Sequence, residues 1–76
     1  MTKLPRGLSG KEVVRALGKA GFYVKRQKGS HMVLRRLDPF AQVVVPDHKR
    51  IDTGTLASIL YGADLSIEEF VKLLKS

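Results

Sequence analysis

Residues 22 to 45 read FYVKRQKGSHMVLRRLDPFAQVVV, and the fold turns on this stretch. β-Branched and aromatic residues alternate with polar ones, and Gly29-Ser30 and Asp38-Pro39 interrupt the pattern twice. A period of two marks a strand with one buried face, and both interruptions carry residues suited to tight turns. Three antiparallel strands are expected, at about Phe22 to Gln27, His31 to Arg36 and Ala41 to Val45.

On either side of this stretch the pattern is helical. Ser9 and Glu12 have the spacing of a capping box, with Leu8 placed to staple against Val13. Val13, Ala16, Leu17 and Ala20 then recur on one helical face until Gly21 ends the run. Ser66 and Glu69 repeat the box, with Leu65 and Phe70 as the staple. Between them, Asp52 or Thr53 caps a middle helix carrying Leu56, Ile59, Leu60 and Ala63, with Gly62 as its expected end. The reading is one α+β domain over residues 1–76, with the order helix, three strands, helix, short helix. The helices cover one face of the sheet and leave the other to water.

Composition narrows the function. A chain of 76 residues buries only about 60% of its unfolded surface, which leaves no room for an enclosed cofactor cavity beside the core. Without cysteine there is no disulfide framework, thiolate metal site or cysteine nucleophile, and two histidines among scattered aspartates make a poor metal site. No cofactor or metal is expected. No apolar run is longer than three residues, the length of Val43-Val44-Val45, so neither a secretory signal nor a membrane span is expected, and a cytoplasmic setting fits. The net charge is +7, unevenly spread: residues 1–36 hold ten Lys and Arg against Glu12 alone, for +9, while residues 37–76 hold four against six acids, for −2. Such a surface attracts polyanions, nucleic acid first.

The first hairpin decides which cations share the open face, because a one-residue change in its loop reverses the facing of one strand. A two-residue Gly29-Ser30 loop sets Arg35 against Val24 and Arg36 against Tyr23, mixing basic and apolar residues on both faces. A three-residue loop Lys28-Gly29-Ser30 pairs Arg26 with Met32 and Val24 with Leu34, and so gathers Phe22, Val24, Met32 and Leu34 into a core face. We expect the second, with Gly29 at positive φ and Tyr23, Lys25, Gln27, His31, Val33 and Arg35 on the open face. Arg26 and Arg36 then snorkel on the core side. Tyr23 is the only aromatic expected in the open, so base stacking is not indicated, and Phe22, Phe40, Tyr61 and Phe70 read as core or core-edge residues.

His31 is the sharpest candidate for chemistry, an exposed imidazole expected opposite Gln27 with Lys25 and Arg35 nearby. Adjacent cations disfavour a further positive charge, which leaves a ring able to take a proton from a ribose 2′-hydroxyl while Lys25, Lys28 and Arg35 hold phosphate. The bland alternative is an exposed strand residue. His48, in the loop before the middle helix, is a second acid/base or substrate contact, or a solvated loop residue.

Three segments together carry a family resemblance. Arg26-Gln27-Lys28-Gly29-Ser30-His31-Met32-Val33-Leu34, then Val43-Val44-Val45-Pro46-Asp47-His48, then Gly54-Thr55-Leu56-Ala57-Ser58-Ile59-Leu60 resemble, in order and spacing, the HicA toxin family of YcfA-like mRNA interferases. The likeness extends back through Leu17-Gly18-Lys19-Ala20-Gly21-Phe22 to Ser9. The resemblance implies a double-stranded-RNA-binding-domain-like α-β-β-β-α fold. It implies a ribosome-independent endoribonuclease acting on mRNA, the toxin of a type II toxin-antitoxin pair, silenced by a HicB-type antitoxin protein. It also implies that the histidine of the Gly-Ser-His motif, His31, is catalytic, with Gly29 and Ser30 shaping the turn that presents it. Two rivals remain: a non-catalytic module that grips double-stranded RNA, and a basic surface that serves mainly to dock an acidic antitoxin.

Overall fold

The computed structural model describes residues 2–76. Its elements are α1 (Gly10–Lys19), β1 (Tyr23–Lys28), β2 (His31–Leu37), β3 (Phe40–Pro46), α2 (Thr53–Ala63) and α3 (Ile67–Lys75). The strands form one antiparallel sheet in the order β1-β2-β3, so the expected α+β order is the one adopted. Met32, Leu34, Ala41, Val43 and Val45 point from the sheet into a core shared with Val13, Ala16 and Leu17 of α1, Leu56, Ile59 and Leu60 of α2, and Phe70 of α3. α1 and α2 lie on the sheet, and α3 packs against α1. No helix among the described residues is long and apolar enough to cross a membrane.

Both serine capping boxes form. Ser9 Oγ accepts from the Glu12 N–H at 3.1 Å while Glu12 Oε1 accepts from the Ser9 N–H at 3.0 Å, and Ser66 and Glu69 repeat the exchange at 3.0 and 2.9 Å. Gly21 takes φ +96° just past α1, as a helix stop requires. Asp52 occupies the cap position of α2 without a side-chain capping bond. The expected stop at Gly62 is incorrect: α2 runs on to Ala63 and ends through Asp64 at φ 59°. Gly62 serves packing instead, since a Cβ there would lie 3.1 Å from Val43 Cγ1.

Glycine also decides how α1 docks. A Cβ on Gly10 would fall 2.1 Å from the Pro46 carbonyl oxygen and 3.1 Å from Asp47 Cα, so only glycine lets the helix start here. Its N–H donates to the His48 carbonyl at 2.9 Å, and Ile51 N–H donates to Leu8 O at 2.7 Å. These bonds fasten the entrance of α1 to the chain leaving β3. At the other end, Lys19 Nζ donates to the Leu73 carbonyl at 3.1 Å and to that of Ser76, closing the C-terminus of α3 with a cation.

The first hairpin departs from the expected register. Lys28 pairs with His31, so the loop has two residues, and Gln27 pairs with Met32 and Arg26 with Val33. The ladder then shifts between Val24 and Arg26, which leaves Lys25 as an extra residue, and resumes with Val24 opposite Leu34 and Tyr23 opposite Arg35. A β-bulge thus removes the mixing of faces that argued against the two-residue loop. Gly29 has φ +59° and Ser30 is not at positive φ, the pattern of a type II′ turn. The strands are otherwise displaced from the expected spans by a residue or so: Phe22 precedes β1, while Leu37, Phe40 and Pro46 are paired.

Candidate functional site

β2 presents His31, Val33, Arg35 and Leu37 to the open face, and its two neighbours complete rows across the sheet. The first row is Lys28, His31 and Pro46; the second is Arg26, Val33 and Val44; the third is Tyr23, Arg35 and Gln42. No strand contains an Asp or Glu, so the face carries cations and apolar side chains with no carboxylate, beside the imidazole of His31, the phenol of Tyr23 and the neutral amide of Gln42. At its turn end lies a shallow depression of about 830 Å³, lined by Arg26, Lys28, Gly29, Ser30, His31, Val33 and Val44.

The turn that presents His31 is held from below. Gln27 Nε2 donates to the Gly29 carbonyl and to Asp47 Oδ2, each at 3.1 Å, and Asp47 N–H donates to Ser30 O at 2.6 Å. The three-residue loop would have set Gln27 opposite His31 on the open face; the two-residue loop gives that place to Lys28 and turns Gln27 into a brace between the turn and the segment after β3. The imidazole therefore stands on a strand end tied at both sides. Such an exposed ring beside two cations can pass a proton to or from a bound polyanion while its phosphates are held.

The structure divides the other candidates. Lys28, Gly29 and Ser30 line the same depression as His31. Lys25 is the bulged residue and Arg35 lies two rows away, its Nε donating to Gln42 Oε1 at 2.9 Å and its guanidinium 5.6 Å from the Phe40 ring centroid. His48 is exposed on a separate depression beside Ser9, Lys11, Asp47 and Lys49, at the start of α1. Among the described residues, no three His, Cys, Asp or Glu side chains gather as a metal-binding group.

Two placements correct the sequence reading. Arg26 is not on the core side; the two-residue loop pairs it with Val33 and so sets it in the His31 depression, and the bulge at Lys25 returns Val24 to its place opposite Leu34, whereas Arg36 does snorkel, over the Phe22 ring at 4.8 Å. The Gly-Ser pair, well suited to a type II′ turn, is a signal for the two-residue loop, but nothing in sequence marks a bulge. Phe40 and Tyr61 are not core residues either: they are 66% and 90% exposed, while Phe22 and Phe70 are buried. Extending the alternation of Gln42 and Val44 back by two residues puts Phe40 on the open face.

No curated protein matches the chain. The family described as HicA toxin of bacterial toxin-antitoxin matches residues 10–65, a span from the first residue of α1 to the far side of α2 that includes His31, the bulged hairpin and His48. With that match over most of its length, the chain belongs to the HicA toxin family.

Proposed function

We propose that this toxin is an mRNA endoribonuclease that works without a metal, with His31 as its acid/base group. The observation that carries the reading is the depression itself: an exposed histidine flanked by Arg26 and Lys28, on a face whose strands have no acid. His31 removes the proton of a ribose 2′-hydroxyl, the 2′ oxygen bonds to the adjacent phosphorus, and the bond to the 5′ oxygen breaks. The products are a 2′,3′-cyclic phosphate and a 5′-hydroxyl whose proton comes from water. Arg26 and Lys28 offset the charge that builds on the phosphoryl oxygens, and Gly29 and Ser30 fix the turn. Lys25 and Arg35 hold phosphates farther along the strand, and His48 acts as a substrate contact. Because the family is that of a toxin with an antitoxin, a HicB-type protein is the proposed partner.

The test is cleavage of labelled single-stranded RNA in EDTA. Wild type should cut, and His31→Ala, whose side chain is exposed, should fold normally and lose at least about 100-fold in rate, the usual share of one acid/base group. A 2′-deoxy substitution at the cut site should block the reaction. RNA cleavage by folded His31→Ala at the wild-type rate would sink the mechanism. Salt-sensitive binding by a wild type that never cuts would favour the binding module instead.

A further inference from the structure

Beyond the depression, the open face ends in side chains that phosphate binding does not use. Leu37 stands opposite Phe40 at the far end of the hairpin, six residues along β2 from His31, roughly 20 Å away at about 3.3 Å per residue. Tyr23 joins them from β1 through its pairing with Arg35. Tyr23 is 44% exposed and Phe40 66% exposed, on the same face as His31, Arg26 and Lys28. Scattered apolar side chains on a surface need no explanation, but two aromatics interleaved with cations on one sheet face do.

The geometry is organised in advance. Gln42 Oε1 holds Arg35 Nε at 2.9 Å, and the restrained guanidinium lies over one side of the Phe40 ring, leaving the rest of the ring in the open. An exposed aromatic with a cation at one side is a platform for a flat, electron-rich group. Combined with phosphate-binding cations along the same strands, it matches the chemistry of a single-stranded nucleic acid, whose bases are free to stack. A duplex keeps its base faces inside and has nothing to offer this platform.

We propose that Phe40, backed by Arg35, and Tyr23 form a base-stacking platform that engages single-stranded RNA downstream or upstream of the phosphate at His31. The proposal rests on the reading of the open face as an RNA site, and it adds which strand form is bound and where. Phe40 is then a specificity-determining residue that touches substrate away from the reacting atoms.

The experiment measures binding of a short fluorescent single-stranded RNA, and of the matching duplex, to the full chain carrying His31→Ala. Phe40→Leu in that background keeps an apolar residue but removes the ring, and should weaken single-strand binding about tenfold or more; Phe40→Tyr should restore it. Duplex binding should be weaker and indifferent to Phe40. Circular dichroism confirms that each variant is folded. Unchanged single-strand affinity in Phe40→Leu overturns the platform, and so does failure of the background protein to bind RNA at all. Loss of antitoxin capture with RNA affinity intact also overturns it, by showing a protein interface. Cleavage by the His31 protein is scored separately, so the nuclease reading can stand when the platform falls, or fall while Phe40-dependent binding remains.

Discussion

Arg36 donates from Nε to the Pro39 carbonyl at 2.9 Å and from Nη2 to the Ala63 carbonyl at 3.4 Å, with its guanidinium over Phe22. One side chain thus joins the β2-β3 turn, the last residue of α2 and the core edge. Replacing it with alanine should cost about 1–2 kcal/mol, seen as a lower midpoint in urea, and leave RNA affinity unchanged. Arg26→Ala should do the reverse, weakening RNA binding several-fold with little change in stability, because no contact of this kind among the described residues holds its guanidinium. Equal stability losses in the two variants would contradict the assignment. Alternation read with a three-residue loop puts these arginines on one face, since that reading joins Arg26 to Val24 in an unbroken ladder. The extra residue at Lys25 breaks it, and a bulge is decided by what the partner strand presents, here Leu34 for Val24 and Val33 for Arg26, rather than by any local preference of lysine.

Elements are more legible than registers where their signals are local. The boxes at Ser9 and Ser66 are four-residue patterns satisfied within one helical turn, and both form as read. The end of α2 escapes such a reading because Gly62 answers to Val43, a residue far away in sequence. In each box the glutamate carboxylate lies below its usual value of 4.5, chiefly through the hydrogen bond from the serine backbone N–H and then through the serine hydroxyl. A carboxyl lowered on folding adds stability that is complete above about pH 4.5 and fades as pH falls through the lower folded value. The melting temperature of wild type should therefore exceed that of a Glu12→Gln, Glu69→Gln variant at neutral pH and converge on it in acid. A constant gap across that range would show that the carboxylates contribute nothing specific. Glycines give a second contrast within α1. A methyl group added at Gly18 meets nothing within 4 Å, so Gly18→Ala should stabilise the chain by about 0.5–1 kcal/mol, whereas Gly10→Ala meets backbone and should cost about 3 kcal/mol. Chemical denaturation of the two variants reads both signs.

For the molecule as a whole, the question is whether +7 acts as bulk charge or through its placement. Charge by sequence half is legible, and so is the element order that carries it; which cations of β1 share a face with His31 is not, because the two-residue loop that decides it fits the apolar pattern only through the bulge at Lys25. The fold distributes the basic residues between two opposed surfaces: Arg26, Lys28 and Arg35 on the open face, and exposed cations such as Arg15 on α1 and Lys72 on α3, on the helical side. Two double variants separate the alternatives at the same net charge of +5, from +7 less two. Arg15→Gln with Lys72→Gln removes helical-side cations, and Arg26→Gln with Lys28→Gln removes those beside His31. Under a bulk field both should weaken RNA binding alike. If placement decides, only the second pair should, and the slope of log affinity against log salt should then fall by roughly 1.4, at about 0.7 per lost phosphate contact on a single strand. The slope is the more telling reading, because a merely disturbed site lowers affinity at every salt concentration, whereas lost phosphate contacts flatten the dependence itself. Equal slopes for the two variants would return the charge to a general attraction for polyanions and remove Arg26 and Lys28 from the site.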